Sequence, residues 1–154
     1  MTPPDDARTR SPTAALVLGW IVPGAGHAYG GQWGKAVLFF LAITGLVVAG
    51  LAIGGGTVLL YKVPGPASPT SSAASVRLWY AAQVCAGGPA VALTPVSQYV
   101  ARKGTIDWAD PLHEMGTLYT AVAGFLNLLV MMDAYTRLAY PHEFEKRGAD
   151  EEDA

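Results

Sequence analysis

Three polar side chains stand out because they fall in otherwise apolar stretches of this sequence: His27, Asn127 and Asp133. An imidazole can carry a proton or bind a ligand near neutral pH. An acid in an apolar segment is a candidate for a functional role, and a buried amide can bind a substrate or a neighbouring helix. If the three side chains meet in one polar cavity, a membrane enzyme or transporter is indicated. If they lie apart, they are better explained as helix-packing residues.

The structural interpretation is favoured for each of the three. His27 lies in a glycine-rich connector, where an imidazole commonly hydrogen-bonds to the backbone. Asp133 precedes Arg137 by one helical turn, a spacing typical of an ion pair. Asn127 falls in the middle of an apolar run, where an amide usually bonds to another helix. We therefore predict a non-catalytic protein, with Asn127 and Asp133 as its candidate polar residues inside a membrane.

Other chemistries find less support in the sequence. Cys85 is the only cysteine, so no internal disulfide can form. Residues 34–36 (Gly-Lys-Ala) lack the Ser or Thr that follows the lysine of a phosphate-binding loop. Asp110, His113 and Glu114 share a helix face by spacing, but no second group of ligands accompanies them. We predict no catalytic site, no metal and no cofactor.

Composition and charge indicate a membrane protein. Charged residues make up 14% of the 154 residues, against about 25% in a typical soluble domain. They are concentrated at both ends and in short islands, and the mean hydropathy is +0.30. The net charge is −2, and no basic stripe is present. The lipid bilayer is therefore the expected partner, and nucleic acid is not.

The uncharged stretches predict an all-α integral membrane protein with a helical hairpin and one or two further membrane segments. A helix of about 20 apolar residues crosses a bilayer. Between residues 13 and 140 the candidate segments are 14–31, 36–61, 78–100 and 111–140. The other stretches are polar: tails over 1–12 and 141–154, expected to be disordered, and a Pro/Ser-rich loop over 63–75.

Two of these segments are ambiguous. Segment 14–31 contains Pro23 and several glycines, which predict a kinked helix or a half-helix followed by a turn. Segment 78–100 contains Pro89 and Pro95, which are expected to break the helical hydrogen bonding twice, so this segment is either a kinked span or a re-entrant one. With four spans, Lys and Arg are more frequent on the side of the termini, which predicts that both termini are cytoplasmic.

The other two segments carry clearer signals. No residue between Lys35 and Lys62 is charged, although the glycines at 54–56 are expected to end or loosen the helix there. Gly50 and Gly54 form a GxxxG pattern, which lets a neighbouring helix approach closely. Small-residue faces of this kind could support a homo- or hetero-oligomer. The fourth segment is preceded by Asp110, a favourable N-cap, and starts with a proline suited to the first helical position.

The most distinctive local sequence connects the first two segments. Its glycines permit close turns, and its aromatic and basic residues suit a membrane–water boundary. We predict a structural hinge and not a catalytic centre. The motif residues are Pro23, Gly24, Gly26, His27, Tyr29, Gly30, Gly31, Trp33, Gly34 and Lys35.

This stretch resembles the Pro-Gly-x-Gly-His-x-Tyr-x-Gly turn of bacterial proteins related to the TM-two domain family, which are helical hairpins with a short polar turn. Residues 116–129 resemble the last span of an uncharacterised bacterial membrane family that carries this turn. The sequence lacks the Asp-Arg-Phe of the better-known TM-two proteins, so no activity carries over. The resemblance implies an uncharacterised multi-pass protein of a bacterial plasma (inner) membrane.

Overall fold

The computed structural model describes residues 10–61, 78–103 and 110–141, and within these ranges the chain is helical and contains no strand. The helices are α1 Pro12–Ile21, α2 Ala25–Tyr29, α3 Trp33–Ile53, α4 Leu78–Val84, α5 Gly88–Lys103 and α6 Pro111–Ala139. Two of these, α3 with 21 residues and α6 with 29, are long and apolar enough to cross a membrane.

The long helices α3 and α6 pack in opposite directions and form the centre of the fold. Near the end of α3, a Cβ added to Gly50 would lie 2.7 Å from Thr120 Cγ2 and 2.8 Å from the Gly116 carbonyl, near the start of α6. Gly54 also faces Gly116. The close helix approach expected from the GxxxG pattern is therefore made by α6 of the same chain. Apolar side chains extend this interface toward the other end, among them Ile43, Val47, Ala123 and Val130.

Helices α1 and α2 form a short hairpin beside the C-terminal half of α6. Gly19 of α1 faces Met131, whose Cγ would lie 3.2 Å from an added Cβ. The chain then reverses at Gly24, which has a φ of +83°, a value that glycine adopts readily and other residues rarely do. At the open end of the hairpin, the Arg10 guanidinium lies 5.9 Å from the centre of the Tyr29 ring. The two ends of the hairpin therefore lie side by side, at the same height along α6.

Helices α4 and α5 form a second hairpin. The Tyr80 hydroxyl lies 3.4 Å from the Thr94 hydroxyl, so the two helices run side by side in opposite directions. The reversal takes place at residues 85–87, where Gly87 has a φ of +79°. Tyr61, which follows α3 in the chain, packs its ring 6.0 Å from the Tyr80 ring, so this hairpin opens toward the end of α3.

Several helix ends differ from the sequence-based segments. Helix α1 begins at Pro12, inside the expected N-terminal tail. Residues 14–31 form two helices, which corresponds to the half-helix followed by a turn. The connector motif is partly helical, since it contains α2 and the first residues of α3. Helix α3 ends at Ile53, because the chain turns through the glycines that follow.

The prolines of the third segment act differently from expectation. Pro89 is the second residue of α5. An N–H at this position would have no acceptor within the helix, so the proline costs no hydrogen bond and helps to start the helix. Pro95 lies inside α5, and the helix continues past it. The break in this segment is instead at residues 85–87. The loop 63–75 and the tail residues 1–9 and 142–154 lie outside the described residues.

Candidate functional site

His27 and Asp133 lie together in the structure although they belong to different helices. His27 Nε2 is 2.8 Å from Asp133 Oδ2, and the Arg137 Nε–H donates to the same oxygen at 2.8 Å. A carboxylate can only accept hydrogen bonds, so the His27 Nε2 carries the proton and donates it. The ion pair expected from the i, i+4 spacing is present, and the histidine of the connector joins it.

The imidazole is more buried than the carboxylate. The His27 side chain is 1% exposed and the Asp133 side chain 38% exposed. The Phe39 ring of α3 packs 5.0 Å from the imidazole. The ring is thus fixed by one charge-assisted hydrogen bond and one aromatic contact, which attach α2 to α6 and α3.

A small cavity of about 70 Å³ lies beside this cluster, and its lining includes His27, Gln32 and Arg137. Two buried polar atoms belong to these residues, His27 Nδ1 and Gln32 Oε1, and neither has a hydrogen-bond partner among the described residues. When the imidazole is neutral both atoms are acceptors, and a group with two donor hydrogens could bridge them. None of the seven lining residues, all described, carries a hydroxyl or thiol that could act as a nucleophile.

Asn127 does not belong to this cluster. Its side chain is completely buried, and its Nδ2 lies 3.3 Å from the Gly19 carbonyl and 2.9 Å from the Cys85 carbonyl. The first acceptor lies in α1 and the second follows α4. Asn127 therefore connects α6 to both hairpins, and only two of the three polar residues singled out in the sequence converge.

The tips of the two hairpins meet at Asn127. The Trp20 indole Nε1–H donates to the Val84 carbonyl at 3.2 Å. A Cβ added to Gly87 would collide with the Trp20 carbonyl, and one added to Gly88 with the Ile21 carbonyl. The C-terminal end of α1 therefore lies against the N-terminal end of α5, an arrangement in which the two helix dipoles attract each other.

Sequence analysis missed a second group of buried polar side chains. Gln83 Nε2 donates to the Thr120 hydroxyl at 2.7 Å and to the Val58 carbonyl at 3.2 Å. The Ser97 hydroxyl accepts the Leu59 N–H at 3.0 Å. These bonds satisfy the irregular backbone that follows α3. Their only signal in the sequence is that Gln83 and Ser97 are polar residues in the uncharged segment 78–100, which does not reveal their acceptors.

The connector residues divide into buried and exposed groups. Pro23, Gly26 and His27 are buried within the α1–α2 hairpin. A Cβ added to Gly26 would lie 2.6 Å from the Ala15 carbonyl and 3.0 Å from Ala134 Cβ. By contrast, Trp33 is 70% exposed, and a Cβ added to Gly34 would meet no atom within 4 Å. Close packing is therefore concentrated at the first half of the motif. Gly24 and Gly31 have a positive φ, and Lys35 is exposed.

These features define a small helical protein in which two short hairpins pack against a pair of long apolar helices. It belongs to a family of unknown function, DUF6677, whose match covers residues 14–146 and thus every helix except the first two residues of α1. No curated protein and no solved structure matches the chain. Family membership therefore supplies no activity, and a function has to be inferred from the arrangement itself.

Proposed function

We propose that this protein is a non-catalytic integral membrane protein with two spans, α3 and α6, and two re-entrant hairpins that enter from opposite sides of the bilayer. The observation that supports this proposal is the contact between the hairpin tips around Asn127, near the middle of α6. A hairpin that opens at one end of the α3–α6 pair and ends at its middle has the geometry of a half-membrane loop.

Helix length supports the same arrangement. The 10 residues of α1 extend about 15 Å, and the 16 residues of α5 about 24 Å. Neither length reaches the roughly 30 Å of a hydrocarbon core. The C-terminal end of α1 meets the N-terminal end of α5, and together the two helices, at about 39 Å, are long enough for a full span. A non-helical turn inside a membrane is tolerated where protein groups bury it, as Asn127 does here.

The exposed surface of the long helices also supports a membrane location. Large apolar side chains point away from the protein, including Leu41 at 63% and Leu129 at 66% exposure. They recur along both helices, at Val37, Leu38, Val48, Val122 and Phe125. A soluble monomer rarely exposes a continuous apolar surface of this extent. The acyl chains of a lipid bilayer are the surroundings that suit such an apolar surface.

The polar side chains support a packing role. Asn127, Gln83 and Ser97 all bond to protein groups that join one element to another. Together with the close glycine contacts, they account for how a short chain holds broken helices at membrane depth. We infer that the protein acts by helix packing or by binding a partner, not by chemistry on a substrate.

We further propose a bacterial plasma (inner) membrane, in line with the TM-two-like connector, and cytoplasmic termini. With two spans and two re-entrant hairpins, both termini lie on one side. Six of the ten Lys and Arg residues fall on that side, a bias that favours the cytoplasm. They are Arg8, Arg10, Lys35, Arg137, Lys146 and Arg147, whereas Lys62, Arg77, Arg102 and Lys103 fall on the other.

Cysteine labelling in intact cells distinguishes this topology from four spans. Cys85→Ala removes the native thiol, and Lys35→Cys, Lys62→Cys and Lys103→Cys then introduce single probes. The proposal predicts that an impermeant maleimide labels positions 62 and 103 from outside and position 35 only after lysis. Four full spans would instead place positions 35 and 103 together, opposite position 62. Extraction of the protein by carbonate without detergent would contradict the membrane proposal altogether.

We also propose that the protein forms an oligomer through a face of α3 that α6 does not cover. Ala42 and Gly45 of α3 are exposed, and a Cβ added to Gly45 would meet no atom within 4 Å. Such a small-residue face allows a second copy or another membrane helix to approach closely. Gly45→Leu should then reduce the oligomeric mass measured by light scattering in detergent. An unchanged mass would assign no role to this face.

The alternative function is a membrane enzyme or transporter that uses His27 and Asp133. The observation in its favour is the buried His27 Nδ1 beside a cavity, in a ring that Asp133 orients. A histidine held in this way is suited to accept a proton. The alternative predicts that His27→Gln folds normally and loses a cellular phenotype, whereas the packing proposal predicts a loss of stability.

A further inference from the structure

A cavity of about 480 Å³ lies between the α4–α5 hairpin and Tyr61. Helix α5 contributes one face to it, through positions 91, 94, 95, 98, 99 and 102, which share a helix face by the i, i+3, i+4 spacing. The volume falls within the range of roughly 300–1,000 Å³ that is usual for organic ligands, and it is much larger than a few water molecules need. This cavity is separate from the His27 cluster, which lies at the other end of the α3–α6 pair.

The lining is positively charged and rich in hydrogen-bonding groups. Arg102 is its only charged residue, and none of the eight lining residues, all of them described, is acidic. Three tyrosines line the cavity: Tyr99 offers a phenol group that can donate to an oxyanion, the Tyr80 hydroxyl lies 3.4 Å from the Thr94 hydroxyl, and the Tyr61 ring packs against that of Tyr80. A guanidinium forms paired hydrogen bonds with phosphate oxygens. The lining chemistry therefore matches an anionic group better than a cation.

The cavity also offers acceptors for hydroxyl groups. Pro95 has no N–H, so it gives no helical hydrogen bond to the carbonyl of Val91, one turn earlier in the wall of the cavity. The Thr94 hydroxyl donates to the Ala90 carbonyl at 2.8 Å and accepts from the Tyr80 hydroxyl at 3.4 Å, so one of its two acceptor positions remains. An anion that carries hydroxyl groups next to its charge would use both kinds of lining group.

Apolar surface also lies beside the polar groups of the cavity. Val91 lines it and is 42% exposed, and Tyr99, another lining residue, is 58% exposed. A soluble anion would leave this apolar surface exposed, whereas a lipid acyl chain would bury it. Arg102 lies in the last turn of α5, the end that the proposed topology places at the membrane–water boundary.

We propose that this cavity binds the phosphate-ester head group of an anionic membrane amphiphile, with Arg102 as the ion-pair partner of the phosphate. The hydroxyl groups of the head group lie against Tyr99 and the Val91 carbonyl, and the acyl chains leave the cavity along the Val91 side chain. The inference rests on the proposed membrane location. A failed head-group test leaves the labelling result intact, so the two proposals can fail separately.

The test uses the purified full-length protein in a neutral detergent and counts bound lipid by native mass spectrometry. Phosphatidylglycerol should bind in a ratio of one per chain at concentrations where phosphatidylcholine does not. Arg102→Gln should weaken that binding by about tenfold, because it removes a charge-assisted contact. Lys103→Gln is the matched control: it removes one positive charge from the neighbouring residue, which does not line the cavity, and should change binding less than about twofold.

A second pair of variants tests the cavity without changing charge. Val91→Phe places a ring in the cavity and should abolish binding of phosphatidylglycerol, whereas Val96→Phe adds the same bulk outside it and should not. Size-exclusion chromatography checks that all variants remain folded. Equal losses in Arg102→Gln and Lys103→Gln would indicate general attraction to a positive surface and overturn the proposal. If glycerol 3-phosphate binds as tightly as phosphatidylglycerol, the cavity binds a soluble phosphate ester and the proposal of a membrane amphiphile is wrong.

Discussion

The imidazole of His27 donates a hydrogen bond to the carboxylate of Asp133 across 106 residues of sequence, with 2.8 Å between Nε2 and Oδ2. This bond attaches the short α2 to the C-terminal part of α6. It does so at the open end of the first hairpin, where a five-residue helix has little internal stability of its own. The pair thus has a positioning role that can be measured separately from any chemistry.

Removing either partner should destabilise the protein, and the two losses should not add. Asp133→Asn is expected to cost about 1–3 kcal/mol, because a hydrogen bond to a charged group is lost and His27 is left buried. In that background His27→Gln should cost clearly less than it does alone. Reversible unfolding in mixed micelles gives the coupling free energy. Arg137→Gln serves as the comparison and should cost less, since it leaves the buried His27 bonded to Asp133 and removes only a partly exposed ion pair. Strictly additive losses would mean that the bond contributes nothing.

Two glycines of the connector should respond in opposite ways to the same substitution. Gly26→Ala places a methyl group 2.6 Å from the Ala15 carbonyl, so α1, α2 and α6 would have to separate. We expect a loss of about 2 kcal/mol or more, or failure to fold. Gly34→Ala meets no neighbour and should stabilise α3 by roughly 0.5–1 kcal/mol through helix propensity. Thermal unfolding monitored by fluorescence-detected size exclusion compares the two. Similar melting temperatures would refute close packing at Gly26.

The α3–α6 interface provides a second matched pair of glycines. Gly116→Ala would place a methyl group 2.5 Å from the Gly50 carbonyl and force the two long helices apart. Gly45→Ala, on the exposed face of α3, would not touch any atom. We expect the first to lower the unfolding free energy by about 1–3 kcal/mol and the second to leave it unchanged or slightly higher. The same micelle titration measures both, and a larger loss for Gly45→Ala would indicate that a partner covers that face.

Part of this fold could be predicted from sequence because its signals are local. The uncharged stretch after Lys35 and the cap at Asp110, whose side chain accepts the Leu112 N–H at 3.0 Å, mark the two long helices. Uncharged length alone does not show where a chain turns back. Segment 14–31 is long enough to cross a membrane. The chain nevertheless reverses halfway, because Gly24 and Gly26 have no side chain that would collide with the neighbouring backbone.

The candidate site was predictable only within a helix. Asp133 and Arg137 are one turn apart, so their ion pair follows from spacing. The contact between His27 and Asp133 depends on how α2 is placed against α6, and no local pattern encodes that placement. The same is true of Asn127, whose amide was expected to bind another helix but whose acceptors are carbonyls, Gly19 and Cys85, that every residue type possesses. Sequence identifies polar side chains in apolar surroundings and does not identify backbone partners.

The contacts of Asn127 predict that its amide helps to hold the two hairpin tips together, beside the bond from the Trp20 indole to the Val84 carbonyl. Asn127→Ala removes the donors to the Gly19 and Cys85 carbonyls, and a cost of about 1–2 kcal/mol is expected for an interhelical amide in a membrane. Thr44→Ala is the control, because the buried Thr44 hydroxyl has no hydrogen-bond partner among the described residues and its loss should be nearly neutral.

Hydrogen exchange locates the effect of Asn127→Ala. If the amide holds the tips, amide exchange should increase in the segments around residues 18–22 and 84–88 together, while α3 stays protected. These two segments are far apart in sequence and meet at Asn127 and at the contacts of Trp20 and Ile21 with residues 84–88, so a joint increase indicates that the two tips have separated from each other. An increase confined to one of them would show that Asn127 supports a single hairpin, and the proposal of two tips meeting at the middle of α6 would then fail.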